Sequence, residues 1–151
     1  MSSRFAMSVS RRAPVEVILQ GVIDERADLA ADAVPAGGPV VLDLGGITAI
    51  TSLGVKQWIE FVRSLAKRSP DIRVRRVPAI LVGQASMIRT FFQRAEVESF
   101  YSPWSCPGCR GHHDQLHPWG EAVPAKLACP KCGAAMVFDD LLQAYETFLA
   151  R

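Results

Sequence analysis

Four cysteines, arranged as two C-x2-C pairs, constrain this chain more than any other feature of its sequence. Nineteen residues, 110–128, separate the two pairs, and in each pair a proline follows the first cysteine. This spacing lies within the range of structural zinc sites, and thiolates are ligands that zinc binds well. We therefore predict one bound Zn²⁺, with four ligands: Cys106, Cys109, Cys129 and Cys132.

The segment that contains these pairs resembles a zinc ribbon. Four thiolates complete a tetrahedron around zinc and leave no position for a substrate, so the site is predicted to be structural rather than catalytic. Two C-x-x-C redox pairs or a disulfide are the alternatives, but a thioredoxin-like motif follows a strand at a helix start, and neither pair does. Three histidines between the pairs could replace a cysteine as ligands, and we predict that they are exposed loop residues: His112, His113 and His117.

Outside the cysteine segment, strand patterns and helix patterns alternate along the chain. Strand patterns cover residues 4–8, 15–19, 40–44, 72–77 and 97–101, and the continuous apolar run at 40–44 is typical of a strand buried on both faces. Helical patterns cover 26–34, 52–67 and 80–95, with Asp24 placed to cap the first.

The last residues of the chain form an apolar stripe at helical spacing. A final helix is predicted after Phe138, with Asp139 as its N-cap. Its stripe consists of Leu141, Leu142, Tyr145, Phe148 and Leu149. A helix this apolar needs a partner surface, so we expect its last three stripe residues to be buried on the preceding domain.

These patterns together predict an α/β fold with a mixed sheet of four or five strands and helices mainly on one face. The length of 151 residues suits one domain plus a small module. We divide the chain into a core at 1–103, a zinc-ribbon insertion at 104–137, and a C-terminal helix at 138–151 that packs back on the core.

Three stretches of the predicted core carry a family resemblance. The first is Gly21-Val22-Ile23-Asp24, the second is the strand at 40–44 with the segment 46–55 that follows it, and the third is the strand at 74–78 with the helix after it. The first stretch is similar to the early G-x-x-D motif of the STAS domain. The second is similar to its buried strand with the D-S-x-G-L segment, and the third is similar to its strand, turn and third helix. The chain therefore resembles the bacterial anti-sigma factor antagonists over about 100 residues and the last helix.

This resemblance implies a regulatory serine. In family members that act as switches, a partner kinase, itself the anti-sigma factor, phosphorylates the first serine of the D-S-x-G-L segment. Ser52 matches that serine, Thr51 stands where the family has aspartate, and Leu53 stands where a second small residue often sits. Ser52 and Thr51 are therefore candidate phosphorylation sites, although a serine at a helix start also serves as a cap.

Composition and motifs narrow the function classes. Hydrophobic residues make up 49% of the chain, which excludes a wholly disordered protein. The 17 basic and 15 acidic residues give a net charge of only +2, which is too little for nucleic-acid binding by charge alone. Neither a Ser-His-Asp pattern nor a phosphate-binding glycine motif is visible, so we expect no enzyme. Met1 to Pro14 contains no long apolar run, and no stretch approaches a membrane helix, so we expect a cytoplasmic protein.

The sequence thus predicts a non-catalytic signalling or regulatory module that binds other proteins. The resemblance to the anti-sigma factor antagonists implies a partner that is an anti-sigma factor with serine kinase activity, or a signalling complex in which the chain is an adaptor. Trp104 and Trp119, near the ribbon, are candidate anchors for such a partner. The alternative is a nucleic-acid-binding regulator that acts through the ribbon, which salt-sensitive binding would reveal.

Overall fold

The computed structural model describes residues 4–151, so the first three residues of the predicted core lie outside it. The larger of its two sheets has five strands: β1 (Ala6–Ser10), β2 (Val15–Ile23), β3 (Val40–Ile50), β4 (Ile72–Arg75) and β5 (Glu96–Val97). They lie side by side in chain order; β1 is antiparallel to β2, and the other neighbours are parallel. The predicted α/β class with a mixed sheet is confirmed.

Three helices accompany this sheet: α1 (Ser52–Arg68), α2 (Ala79–Met87) and α3 (Leu142–Leu149). Alternate residues of the strands face the helices, and the buried ones form a single core with side chains such as Trp58 and Leu81. In β2, Val17 and Leu19 are fully buried, whereas Ile18 between them is 40% exposed. The helices therefore cover one face of the sheet, as predicted.

The prediction of a helix at 26–34 was wrong. Only Ala31–Ala33 form a single 3-10 turn. The carboxylate of Asp24 accepts a hydrogen bond from the Arg26 backbone N–H at 2.9 Å, so it stabilises a local turn instead of capping a helix. The segment 26–34 is short, and Pro35 to Pro39 follow it directly. A helix of this length is not stable without packing against the rest of the protein.

The helix predicted at 80–95 ends early, at Met87, and turns follow it. A distant residue explains the difference, because the indole Nε1 of Trp58 donates a hydrogen bond to the carbonyl of Phe91 at 3.0 Å. Phe91 and Phe92 are both fully buried in these turns. Long-range packing thus overrides the local helical pattern.

The smaller sheet consists of three antiparallel strands in the order β7-β6-β8: β6 (Ser99–Ser105), β7 (His112–Pro118) and β8 (Val137–Phe138). The strand predicted at 97–101 is divided between β5 and β6, and β6 runs on past the predicted boundary at residue 103. All three histidines lie in β7, so their prediction as loop residues was wrong.

The last helix begins later than predicted. Asp139 does not cap it, because its backbone N–H donates to the carbonyl of Pro103 at 2.9 Å and keeps the chain extended beside β6. Tyr145 and Phe148 are buried as predicted, but Leu149 is half-buried and Leu141 and Leu142 are exposed, at 72% and 50%. Within residues 4–151, no helix is long and apolar enough to cross a membrane.

Candidate metal centre and the start of the first helix

The two cysteine pairs meet beyond the end of the smaller sheet. Cys106 follows β6 directly, the turn after it carries Cys109, and the second pair comes back to the same point before β8. The four sulfur atoms lie within 4.8 Å of one another. Cys106 Sγ is 3.4 Å from Cys132 Sγ, and Cys109 Sγ is 3.7 Å from Cys129 Sγ. The four residues are free thiols.

This geometry fits a tetrahedral metal ion. Sulfur atoms about 2.3 Å from a central zinc would be about 3.8 Å apart, close to the separations across the two pairs. One cysteine of each pair, Cys106 and Cys129, is buried, and both pack in a small cluster with Trp104 and Met136. The predicted cysteine set can therefore hold a metal ion on a packed base.

Each pair sits in a turn of the same construction. The N–H of Cys106 donates to the carbonyl of Gly111, and the N–H of Cys129 donates to the carbonyl of Ala134, both at 2.8 Å. Gly133 closes the second turn with a φ of +76°, a conformation that glycine adopts without strain. The two turns therefore have the same design, and each directs its two sulfur atoms toward the same point.

The electrostatics of the cluster favour a cation. Backbone N–H groups of Cys132 and Lys131 point at the Cys129 sulfur and lower its pKa to about 6. At Cys132 the N–H of Ala134 lowers the pKa, but the neighbouring thiols, Cys106 foremost, raise it to about 11. The four thiols cannot all lose their protons side by side without a compensating positive charge, which a divalent ion would supply.

The start of α1 is capped by Thr51. Its Oγ1 accepts a hydrogen bond from the Gly54 N–H at 3.0 Å, so the role of cap belongs to Thr51 and not to Ser52. Ser52 is the first helical residue and is exposed, and its hydroxyl has no hydrogen-bond partner within residues 4–151. The two candidate phosphorylation sites therefore differ, since the Thr51 hydroxyl is engaged and the Ser52 hydroxyl is free.

Gly54 brings two of the family-like stretches into contact. A Cβ at Gly54 would lie 1.9 Å from the carbonyl oxygen of Ile23, at the end of β2. The N–H of Thr51 donates to that same oxygen at 3.0 Å. The absence of a side chain at Gly54 therefore lets α1 begin directly against β2, which fixes the position of the exposed residues beside it.

Asp43 is a buried acid on the face of the sheet that lacks helices. Its carboxylate accepts hydrogen bonds from Arg76 Nε at 2.9 Å, Arg75 Nε at 3.3 Å and the Gly45 N–H at 3.0 Å. The bond to Asp43 raises the pKa of Arg76, and Arg75 also pairs with Glu16. The cluster joins β2, β3 and the end of β4, so Asp43 has a structural role.

The sequence did not predict a hydrogen-bonded row of polar side chains, in which Ser102 and His117 are buried. Ser102 Oγ lies 2.6 Å from His117 Nε2, and His117 Nδ1 lies 3.0 Å from Glu121 Oε1. This is the order of a hydrolase triad, but Ser102 is fully buried and its Oγ also accepts a bond from Trp104 Nε1 at 2.9 Å. His117 is 1% exposed, so its prediction as an exposed residue was wrong. No sequence pattern indicated this, because Leu116, the one aliphatic residue of the segment 112–118, is exposed and His117 is buried.

The two candidate tryptophan anchors are not free surface residues. Trp104 is 1% exposed and lies beneath the cysteine cluster, so the prediction that it anchors a partner was wrong. Trp119 is partly buried, with its ring 5.3 Å from that of Phe148. Trp119 instead packs on the last helix, and Trp104 packs on Phe138 and the cysteine cluster.

Comparison with known proteins adds no family. No protein-family model matches this chain, and no curated protein matches it either. The resemblance to the STAS domain therefore stays a prediction from the three sequence stretches described above.

Proposed function

We propose that this chain is a non-catalytic module of the anti-sigma factor antagonist type, or a STAS-like adaptor in a signalling complex, that docks on other proteins through the start of α1. The observation that carries this proposal is the fixed, exposed pair at that helix start. Leu53 is 58% exposed beside the exposed Ser52, and the contact of Gly54 with Ile23 holds both in place. A preorganised apolar residue with a free hydroxyl beside it suits a regulated protein contact.

Ser52 is the proposed site of regulation. A phosphate there would meet the free amides and the positive dipole end of α1, and the first turn carries no acidic residue to repel it. The added charge of roughly −2 next to Leu53 would disfavour an apolar contact at the same place. Ser52 and Leu53 together form the proposed docking surface. Phosphorylation of Ser52 therefore prevents a partner from binding there.

The metal of the cysteine cluster is proposed to be zinc, with a structural role. Four thiolates are the donor set that structural zinc sites use, and they leave no coordination position for a substrate. When bound, zinc supplies a rigid cross-link between the turn after β6 and the turn before β8. The closed cluster and the sealed Ser102 hydroxyl both support a function without catalysis.

Affinity isolation from the native cells tests this proposal. The tagged full chain is compared with Leu53→Asp and with the control Met87→Asp, which alters a residue that is 73% exposed on α2. We expect a serine kinase of the anti-sigma class with the unaltered chain and the control, and its loss with Leu53→Asp. Recovery of nucleic acid alone, in a form that salt releases, would overturn the proposal. It would indicate instead that the ribbon binds nucleic acid.

A further inference from the structure

A groove of about 700 Å³ separates the start of α2 from the hairpin of β6 and β7. Its apolar wall includes Ile80, which is 43% exposed, together with Pro78 and Pro103. On the opposite side, the segment 45–48 of β3 closes the groove, with Thr48 exposed at its rim. The groove thus lies where the core and the smaller sheet join, and neither the metal cluster nor Ser52 lines it.

Carboxylates predominate along this groove. Asp114, Asp139 and Asp140 line it, whereas no lysine or arginine does. His112 also lines it, with its Nε2 3.0 Å from Asp114 Oδ1, and Arg76, which is bound to Asp43, lies beside Gly45 and Tyr101 at its edge. The pKa of Tyr145 is consistent with these positions of the carboxylates. Burial is the largest cause that raises it, and the charges of Asp140 and then Asp114 raise it further. The carboxylates therefore act on one region from both the hairpin and the entry to α3.

A bare metal ion does not fit this groove. Within residues 4–151, the only histidine, cysteine or acidic side chains close enough together to hold an ion are the four cysteines. The carboxylates are instead spread around apolar walls, an arrangement that suits a cation with an apolar stem. Lysine and arginine side chains have this form, because they lay their methylene groups on apolar surface and keep their charge at a polar rim.

We propose that the groove binds an extended lysine- or arginine-rich segment of a partner protein. The aliphatic stems of that segment lie against Ile80 and Pro103, and its charges meet Asp139 and Asp140. The start of α2 adds a donor, because α2 has no side-chain cap and its first amides can receive a peptide carbonyl. This surface is separate from the Ser52–Leu53 pair and does not depend on the role proposed for it.

Fluorescence anisotropy on the full zinc-loaded chain tests the proposal. The probe is a short labelled peptide in which lysine and valine alternate, at low ionic strength, where charge pairs at a surface are least screened. We expect the double change Asp139→Asn and Asp140→Asn to weaken binding by about fivefold to tenfold, and Thr48→Trp, which fills the groove without a change of charge, to abolish it.

Matched controls lie outside the groove. Asp28→Asn removes an exposed carboxylate from the loop after β2, and Thr90→Trp adds the same bulk to an exposed turn, so both should leave peptide binding unchanged. Equal binding of a peptide with glutamate in place of lysine, or equal weakening by Asp28→Asn, would overturn the proposal. Complete displacement by free spermidine at the peptide's own concentration would identify a small polycation as the ligand and overturn the peptide assignment. Leu53→Asp should bind the peptide normally, which separates this test from that of the docking surface.

Discussion

Ser102 Oγ and His117 Nε2 lie 2.6 Å apart inside the protein, where β6 pairs with β7. The imidazole ring of His117 stacks on Phe100, with 5.2 Å between the ring centroids, and Phe100 belongs to the main core. The hydrogen bond therefore connects the two strands of the hairpin that leads to the metal cluster. Trp104, beneath the cysteine cluster, donates to the same oxygen, so one buried hydroxyl holds both Trp104 and the His117 ring that stacks on the core residue Phe100.

Removal of that hydroxyl should destabilise the fold. Ser102→Ala leaves the Trp104 N–H and one nitrogen of His117 buried without a partner, at a cost of about 1–3 kcal/mol in the free energy of unfolding. The control Ser64→Ala, at an exposed position of α1, should change it by less than about 0.5 kcal/mol. Urea unfolding measures both. Labelling of Ser102 by a fluorophosphonate probe of serine nucleophiles would contradict a purely structural role.

Gly54 and Gly83 should respond in opposite ways to the same change. Gly54→Ala brings a Cβ to 1.9 Å from the Ile23 carbonyl, so α1 must move away from β2, with a loss of at least about 1–3 kcal/mol. A Cβ at Gly83, inside α2, meets no atom within 4 Å, so Gly83→Ala should stabilise by about 0.5–1 kcal/mol. Thermal unfolding of the two variants checks this pair. Equal stability of the two would show that the helix start is not fixed by Gly54.

The last helix should contribute to stability through its buried face alone. Phe148 is fully buried, and Phe148→Ala should cost about 3–5 kcal/mol, whereas Leu142→Ala, at a 50% exposed position, should cost less than about 0.5 kcal/mol. A chain that ends at Asp139 should unfold at a lower temperature than the full chain. Calorimetry gives each value, and an unchanged melting temperature for the shortened chain would refute the packing of α3 on the core.

Metal content should depend on pH in one direction. Zinc binds thiolates, so protons compete with it, and zinc is released as the pH falls. The lowered pKa of Cys129 favours its thiolate and therefore favours zinc binding. Elemental analysis after dialysis at stepped pH should show one zinc per chain at neutral pH and progressive loss in acid. Cys109→Ser should remove zinc at every pH and leave the helical circular dichroism of the core. A chain free of metal at neutral pH after reducing purification would contradict the zinc assignment.

Local features of the sequence predicted the elements that depend on local physics. The cysteine spacing predicted the cluster because each turn is built from consecutive residues, and the apolar stripe of α1 predicted a helix at 52–67, where the structure has Ser52–Arg68. The sequence did not decide between Thr51 and Ser52 as the cap, because both carry hydroxyls and only the position of the Gly54 N–H determines which hydroxyl accepts its hydrogen bond.

The errors arose where distant residues decide the local structure. Trp58, 33 residues away, binds the Phe91 carbonyl and stops α2, and the pairing of β6 with β7 places His117 in the interior. Arg75 and Arg76, at and just after the end of β4, donate hydrogen bonds to Asp43. None of these partners is visible in a sequence window, because the register of the sheets must be known first.

In-cell cross-linking at the start of α1 tests the docking surface most directly. A photoreactive phenylalanine analogue replaces Leu53 in the full chain, and, in a separate control, replaces Met87 on α2. The account predicts a protein adduct at position 53 that contains a serine kinase of the anti-sigma class, that is lost when Ser52→Glu is added, and that does not form at position 87. The absence of any adduct at position 53, or the same adduct at both positions, would contradict it.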